Sequence, residues 1–333
     1  KFAEKNDDGT YKYHNADGSP YNIYLDGLRI YTTIDTRCQE YAENAVQEHM
    51  ETTLQAEFDK NNRKQKNAPF SSYVASEKVT DEQITAIMRR GMKSSDRYKE
   101  AKESGMSESN IEKMFNTPVA MHIFSYKGDF DTVMTPMDSI RYYKSFLQSG
   151  LLSMDPHTGF VKAWVGGIDF KDFQYDHVDQ ARRQVGSTFK PFVYATAIRE
   201  GMEPCREVPN QKVCFEMPAG QPDWCPENSD AVYGGMVTVE YALANSMNTV
   251  TAWLMKQYGP QAVTVLARHM GVKSPLEPVP SLCLGVADLT LMEMTGAFSS
   301  FANQGVYIEP ITFTRIEDKN GNTVFDVTPN TYE

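Results

Sequence analysis

The alternation of hydrophobic and polar positions is clearest near the middle of the chain, where it predicts a β-hairpin. The segment LLSMDPHTGFVKAWVGG, residues 151–167, places two β-rich runs on either side of D-P-H-T-G. Pro156 suits the first corner of a turn, and Gly159 suits the positive φ that a hairpin bulge needs. Turn chemistry also accounts for Asp155, so we assign the hairpin no catalytic role.

The two ends of the chain show similar β-rich patterns. The run LRIYTTID, from Leu28 to Asp35, predicts a strand, and Asp35 or Thr36 can cap the helix that the apolar spacing of TRCQEYAENAVQEHM predicts. Toward the other end, YIEPITFTRIEDKNGNTVFDV predicts a strand, an N-G turn and a second strand. One strand and one helix do not by themselves make a domain.

Helical patterns dominate elsewhere. Residues 51–150 are rich in polar residues and contain segments such as SEKVTDEQITAIMRRGM, which start with Ser, Thr or Asp and continue with acids. They predict a polar helical insertion whose charges form solvated faces. Beyond the hairpin, apolar helical patterns occur in RRQVGSTFKPFVYATAIREG, MVTVEYALANSMNTVTAWLMKQYG, PQAVTVLARHMG and VADLTLMEMTGAFSSFANQG, the last of which ends at Gly305.

Composition places the chain among ordinary globular proteins of about two domains, with 333 residues, 41% hydrophobic and 23% charged. The net charge of -11 and the scattered Lys and Arg argue against a nucleic-acid partner. No apolar run reaches the length of about 18 residues that a membrane helix needs. The chain starts at Lys1 in a polar stretch without a signal-peptide pattern, so we expect it to be a piece of a longer protein.

Three of the five cysteines, Cys205, Cys214 and Cys225, crowd into CREVPNQKVCFEMPAGQPDWC. This cluster contains no histidine and no C-x-x-C spacing, so we expect no metal site. In a cytosolic protein the three would be small apolar residues. In an oxidising compartment Cys214 and Cys225, which flank a Pro- and Gly-rich loop, are the first candidates for a disulfide. Cys38 and Cys283 are isolated thiols.

The helix that starts near residue 187 contains the only S-x-x-K of the chain, Ser187-Thr188-Phe189-Lys190. Pro191 lacks an N–H and crowds the carbonyl of Ser187, so we expect the helix to begin near Ser187. Gly186 allows a sharp entry. The spacing of three then brings the side chains of Ser187 and Lys190 to one helical face, within reach of each other.

This arrangement suits nucleophilic catalysis by Ser187. A serine hydroxyl needs a neighbour to take its proton, and a lysine can do so only if its pKa falls from about 10.4 toward neutrality. Burial against the apolar FVYATAI and the positive end of the helix together can supply that shift. The alternative is a capped amphipathic helix in which Lys190 extends its amine into water.

A second short motif, Ser246-Met247-Asn248, is the only S-x-N of the chain. A second hydroxyl can relay a proton between a lysine and a leaving amine, and the Asn248 amide can hold a substrate peptide as donor and acceptor. The alternative is capping of a helix end, where Ser and Asn are common.

With these motifs, RRQVGSTFKPFVYATAI, ANSMNTVTAWL and LCLGVADLTLMEMTGAFSSFANQGVYIEP resemble the transpeptidase domain of class A penicillin-binding proteins, the bifunctional cell-wall synthases of bacteria. The match covers residues 151–333. LDGLRIYTTIDTRCQEYAENAV is similar to that family's interdomain linker, which implies that residues 1–50 are a linker region, and residues 51–150 resemble an insertion found in some members. The resemblance implies an α/β (α+β) fold like that of the serine β-lactamases, with a largely antiparallel sheet flanked by helices.

The resemblance implies roles for four residues. Ser187 would attack the carbonyl between the two terminal D-alanines of a peptidoglycan stem peptide, and its backbone N–H would form half of the oxyanion hole. Lys190 would be the base, Ser246 the proton relay and Asn248 a ligand of the substrate amide. A neighbouring stem amine would then form the cross-link, and β-lactams would acylate Ser187. No cofactor or metal is implied.

The family works outside the cytoplasmic membrane, in the periplasm, which favours a disulfide between Cys214 and Cys225. The resemblance also implies a parent protein with a membrane anchor and a glycosyltransferase domain, and possible contacts with other cell-wall synthesis proteins.

Two departures from the family pattern stand out. No K-T-G or K-S-G motif occurs, so we expect the chain to stop before the strand that carries it and to be inactive alone. The family's Pro-x-Asn-Tyr reads PENS, with Ser229 in place of Tyr. Two alternatives therefore remain open: a D,D-carboxypeptidase or β-lactamase-like hydrolase, and a non-catalytic scaffold or β-lactam sensor.

Overall fold

The structure, a computed structural model, describes residues 2–70, 79–216, 220 and 222–332. The chain forms two compact units. The first unit contains Lys1–Glu40, Gly150–Gly166 and Tyr175–Glu333, and the second contains Tyr41–Ser149 and Gly167–Gln174. The first forty residues group with the C-terminal part of the chain.

The helices in chain order are α1 (Thr36–His49), α2 (Ala56–Asn62), α3 (Asp81–Ser94), α4 (Asp96–Glu103), α5 (Glu108–Phe115), α6 (Pro136–Tyr143), α7 (Lys190–Arg199), α8 (Val239–Ala244), α9 (Asn248–Tyr258), α10 (Pro260–His269) and α11 (Leu291–Ala302). A π-helical segment, Met50–Gln55, and two 3₁₀ turns, Gly186–Phe189 and Pro280–Leu284, complete the helical elements of the described residues.

The strands in chain order are β1 (Arg29–Thr32), β2 (Val119–Ile123), β3 (Phe130–Met134), β4 (Leu151–Met154), β5 (Val161–Val165), β6 (Arg182–Gln184), β7 (Glu207–Pro209), β8 (Met236–Thr238), β9 (Asp288–Thr290), β10 (Tyr307–Ile308), β11 (Phe313–Glu317), β12 (Thr323–Asp326) and β13 (Thr331–Tyr332). Every strand pair among the described residues is antiparallel.

The predicted hairpin at residues 151–167 is confirmed as β4 and β5, with Gly159 at a φ of +74° in the turn. The strands predicted near the two ends of the chain also form, and they pair with each other in the order β1-β11-β12. Buried Thr33 extends this contact, because its hydroxyl donates to the carbonyls of Val161 and Ile311. Pairing of β1 with β11 explains why the start of the chain belongs to the first unit.

The core of the first unit lies where α7 and α9 pack together. Both helices are apolar on most of their circumference, as a helix buried on several sides must be. The long helical pattern at MVTVEYALANSMNTVTAWLMKQYG divides into α8 and α9, and Asn245–Met247 form the turn between them. Fully buried side chains of this core include Phe189, Phe192, Val193, Val250, Ala252, Leu254 and Leu282.

The second unit contains the predicted polar helices and one strand pair that the helical interpretation missed. Met92, Ala101, Ile111 and Phe115 form a buried apolar cluster in this unit. β2 and β3 form a hairpin around Gly128, whose φ is +104°. The signal was the β-rich run on each side of S-Y-K-G-D. Residues 76–78, the start of the quoted SEKVTDEQ segment, lie outside the described residues.

Candidate active site

Ser187 lies in the 3₁₀ turn Gly186–Phe189, immediately before α7. The α-helix itself begins at Lys190, three residues later than the expected start near Ser187, and Pro191 lies in its first turn. The Lys190 N–H donates to the Ser187 carbonyl and closes the 3₁₀ turn. Residues three apart eclipse each other in a 3₁₀ turn, so Ser187 and Lys190 still share a face.

A close backbone contact fixes this turn. The Gly186 N–H donates to the Gly285 carbonyl at 2.9 Å, and the Val185 N–H donates to the Ala287 carbonyl at 3.1 Å. Gly285 has a φ of +71°, and a Cβ at this position would lie 1.9 Å from the Gly186 carbonyl oxygen. Only glycine satisfies both conditions, so the LCLG segment sets the place of the turn that contains Ser187.

The Lys190 side chain is buried, with 1% of its surface exposed. Its Nζ donates to the Ser246 carbonyl at 2.5 Å, to Ser246 Oγ at 3.0 Å and to Asn248 Oδ1 at 2.6 Å. Burial lowers the pKa of Lys190 to about 8, and only a negatively charged thiolate at nearby Cys283 would act to raise it. The position of the amine is therefore fixed, and its pKa is close to the value that a base needs near neutral pH.

Ser246 lies in the turn between α8 and α9 with a φ of +52°. This left-handed conformation is uncommon for a residue other than glycine and costs free energy that the surrounding contacts must offset. In this conformation both the carbonyl and the hydroxyl of Ser246 accept hydrogen bonds from Lys190.

Asn248 is the first residue of α9, and its amide faces in two directions. Oδ1 accepts the hydrogen bond from Lys190, and Nδ2 donates to the Glu227 carbonyl at 2.7 Å. Glu227 follows the cysteine loop, in which a disulfide joins Cys214 to Cys225. The tip of this loop, residues 217–219 and 221, lies outside the described residues.

The structure thus brings Lys190, Ser246 and Asn248 into direct contact and places Ser187 on the turn beside them. Ser187 is exposed. Among the hydrogen bonds recorded for the described residues, none joins Ser187 Oγ to Lys190. Catalytic hydrogen bonds are often long in the absence of substrate and tighten when it binds.

Comparison with known proteins identifies the family. Residues 149–332 match the family model of the penicillin binding protein transpeptidase domain, and residues 65–147 match the penicillin-binding protein middle domain. The chain belongs to the penicillin-binding proteins.

Two relatives within this family match different shares of the chain. Penicillin-binding protein 1A of Rickettsia felis is 27% identical over 320 residues, which cover 92% of this chain and 40% of the relative. Penicillin-binding protein 1A of Aquifex aeolicus is 34% identical over 187 residues, which cover 56% of this chain and 26% of the relative. The chain therefore spans less than half the length of these relatives.

A crystal structure of penicillin-binding protein 1A from Haemophilus influenzae matches the fold with a TM-score of 0.61 and 22% sequence identity. The match covers 92% of this chain and 47% of that chain. The predicted fold class, that of the serine transpeptidases, is confirmed. The stretch we compared with an insertion, residues 51–150, largely coincides with the family's middle domain.

Sequence reasoning missed several residues of this penicillin-binding protein site. Cys283, treated as an isolated thiol, is buried beside Lys190, and burial raises its own pKa to about 12. Asn210, Asn228 and Thr249 form a buried polar cluster at the start of α9.

Cys38 and Cys205 are exposed thiols. No group of three or more His, Cys, Asp or Glu suited to a metal occurs in the described part of the chain.

The described helices also include none that is long and apolar enough to cross a membrane.

Proposed function

We propose that this chain carries the acyl-transfer site of a peptidoglycan D,D-transpeptidase. The observation that carries the proposal is the buried Lys190 amine, which Ser246 and Asn248 hold one turn behind Ser187. A buried amine with a pKa of about 8 can take a proton from a serine hydroxyl near neutral pH. The family supports the substrate class, the D-alanyl-D-alanine end of a stem peptide.

Acylation exchanges one bond and moves one proton. Ser187 Oγ attacks the carbonyl carbon between the two terminal D-alanines, and Lys190 Nζ takes the hydroxyl proton. The C–N bond then breaks, and the departing D-alanine nitrogen receives that proton through the Ser246 hydroxyl. An amine of a neighbouring stem attacks the acyl-serine ester, its surplus proton passes back to Ser187 Oγ, and the cross-link forms.

The contacts of Lys190 suit this proton transfer. The Ser246 carbonyl and Asn248 Oδ1 can only accept hydrogen bonds, whereas Ser246 Oγ can both donate and accept. A neutral amine has two N–H groups and one lone pair. The two carbonyl-type acceptors can hold both N–H groups of neutral Lys190, which leaves the lone pair to receive a proton from a hydroxyl.

The Ser187 backbone N–H supports the same reaction. Among the hydrogen bonds of the described residues, none is donated by this N–H, whereas the next one, that of Thr188, donates to the Val185 carbonyl. An N–H at the start of α7 also lies at the positive end of the helix dipole. It is therefore available to an oxyanion that forms on the substrate carbonyl. Asn248 is proposed to hold the substrate amide with the polar groups that Lys190 and Glu227 leave available.

Covalent labelling with a fluorescent penicillin tests the proposal on the full-length protein that carries this chain. A β-lactam mimics D-alanyl-D-alanine, so we expect it to acylate Ser187. Peptide mass spectrometry of the adduct would identify the modified residue. Ser187→Ala should remove the label entirely. Ser153→Ala, which alters an exposed serine of β4, is the matched control and should label like the unaltered protein.

A folded full-length protein without label would contradict the proposal. Two product assays separate it from the alternatives. Release of free D-alanine without cross-linked product would indicate a carboxypeptidase, and rapid loss of the label by hydrolysis would indicate a β-lactamase.

The setting of the parent protein is part of the same proposal. A disulfide between Cys214 and Cys225 fits an oxidising compartment such as the periplasm. The chain covers 40% of the Rickettsia felis relative, which leaves room in such a protein for a membrane anchor and a glycosyltransferase domain. Protease accessibility of the full-length protein in spheroplasts tests this location, since a cytoplasmic domain would be protected.

A further inference from the structure

Helix α9, which carries Asn248 into the site, begins without a cap of its own. Its N-cap residue is Met247, whose side chain makes no capping hydrogen bond. The first backbone N–H groups of any helix lack partners within the helix and need acceptors elsewhere. Here the acceptor is Asn228 Oδ1, which receives the N–H of Asn248 at 2.9 Å and that of Thr249 at 3.1 Å. A residue twenty positions upstream therefore caps this helix.

Asn228 is buried, and both polar atoms of its side-chain amide make hydrogen bonds. It is 8% exposed, and its Nδ2 donates to Asn210 Oδ1 and to the Val232 carbonyl, both at 3.0 Å. Asn210 is 3% exposed and also accepts from the Thr249 hydroxyl at 2.8 Å. A buried amide whose donors and acceptor are all engaged has one orientation, because turning it would oppose like groups.

The residue next to Asn228 controls the Asn248 side chain. The Glu227 carbonyl accepts from Asn248 Nδ2, so the opposite atom of that amide, Oδ1, must face Lys190. Lys190 can only donate, which matches this orientation. Residues 227 and 228 thus hold both the backbone and the side chain of Asn248.

From these contacts we infer that Asn228 is a positioning residue for the catalytic lysine: by capping α9 it sets Asn248, and through Asn248 it sets the place and hydrogen bonding of the Lys190 amine. Asn228 acts through Asn248 and need not touch the substrate. This inference rests on the proposed acyl-transfer function.

The charged groups around Lys190 do not obscure the effect of Asn228 on the pKa of this lysine. Among the described residues, Cys283 of the 3₁₀ turn Pro280–Leu284 is the titratable group whose negative charge, once formed, would raise the pKa of Lys190. With its pKa raised to about 12 by burial, this thiol stays neutral at working pH. The Glu227 carboxylate is exposed and pairs with Lys212. A shift in the titration of Lys190 therefore reports on its hydrogen-bond partners.

Two variants of the full-length protein test the inference through the pH profile of fluorescent-penicillin acylation. Asn228→Leu keeps the shape but removes the cap, and we expect acylation per folded molecule to slow about 10- to 100-fold. Its pH midpoint should move lower, because a displaced Asn248 no longer stabilises the lysine ammonium. Asn228→Asp keeps the acceptor and adds a negative charge, so its midpoint should move higher.

Thr290→Val is the matched control. It removes the hydroxyl that caps α11 in the same unit, away from the contacts of Lys190. It should lower stability by a similar amount and leave the pH midpoint unchanged. An unshifted midpoint in Asn228→Leu would overturn the inference, and if that variant fails to fold, Asn228→Ser, whose shorter side chain also removes the acceptor from α9, decides it by the same downward shift. An unaltered protein that does not acylate would instead contradict the proposed function.

Discussion

Four helices of the second unit and two helices at the candidate active site begin in opposite ways. In the second unit α3, α4, α5 and α6 each start from a serine or threonine whose hydroxyl accepts a backbone N–H of the first turn. These N-caps are Thr80, Ser95, Ser107 and Thr135. In the active site, α7 and α9 start from Phe189 and Met247, which supply no side-chain cap.

The difference shows how a helix start becomes available for function. A local cap stabilises a helix by about 0.5–2 kcal/mol and occupies its first N–H groups. Without one, those groups can serve tertiary partners or a ligand. Asn228 accepts hydrogen bonds from them at α9, and at the turn before α7 the Ser187 N–H donates none of the hydrogen bonds of the described residues.

The largest effect expected at the uncapped start of α7 comes from Lys190→Met. Removing the base should slow penicillin acylation by about 100- to 10,000-fold, as stopped-flow fluorescence would measure. Lys319→Met, which alters an exposed lysine in the β11–β12 turn, should leave the rate unchanged. A Lys190→Met protein that acylates at the original rate would remove Lys190 from the mechanism.

The pH dependence of the unaltered protein follows from the same group. Burial lowers the pKa of Lys190 to about 8, so the amine is protonated and inactive as a base below that pH and becomes neutral above it. We expect the acylation rate to rise with pH through about 8 and then level off. A rate that falls over this range would show that the charged amine is the active form.

Gly285→Ala should have the next largest effect, because it disturbs the tertiary contact that holds the turn before α7. The new Cβ meets the Gly186 carbonyl at a positive φ, and we expect a loss of about 2–4 kcal/mol in the free energy of unfolding. Gly305→Ala is the control, since its φ is +92° but the space around it is open. There only backbone strain of about 1 kcal/mol should appear in urea titrations.

The smallest effect should come from a local cap. Thr80→Ala removes both the hydroxyl cap and the capping box with Gln83, at a cost of about 1 kcal/mol. Hydrogen exchange in the first turn of α3 should quicken, while penicillin acylation stays unchanged. Slower acylation in this variant would show that the local cap of α3 also affects the acylation site.

Much of the fold could be predicted because its signals are local. The hairpin of β4 and β5, the cap of Asp35 on α1 and the strands on each side of the N-G turn depend on neighbouring residues. The β2–β3 hairpin was missed because polar helical composition around it outweighed a short β-rich signal. The split between α8 and α9 was missed because Ser246, at a positive φ, gives no sequence signal of the kind that glycine does.

By itself, the sequence determined the chemistry available to this protein: a serine and a lysine three apart, a proline that limits where the helix can begin, and a Ser-x-Asn further along. Those properties depend on residue type and local spacing. Only the tertiary structure decided that the Lys190 amine meets Ser246 and Asn248, that Gly285 holds the turn containing Ser187 and that Asn228 caps α9. The physical reason is that burial and hydrogen-bond geometry arise between segments far apart in sequence, and these set the pKa of the lysine.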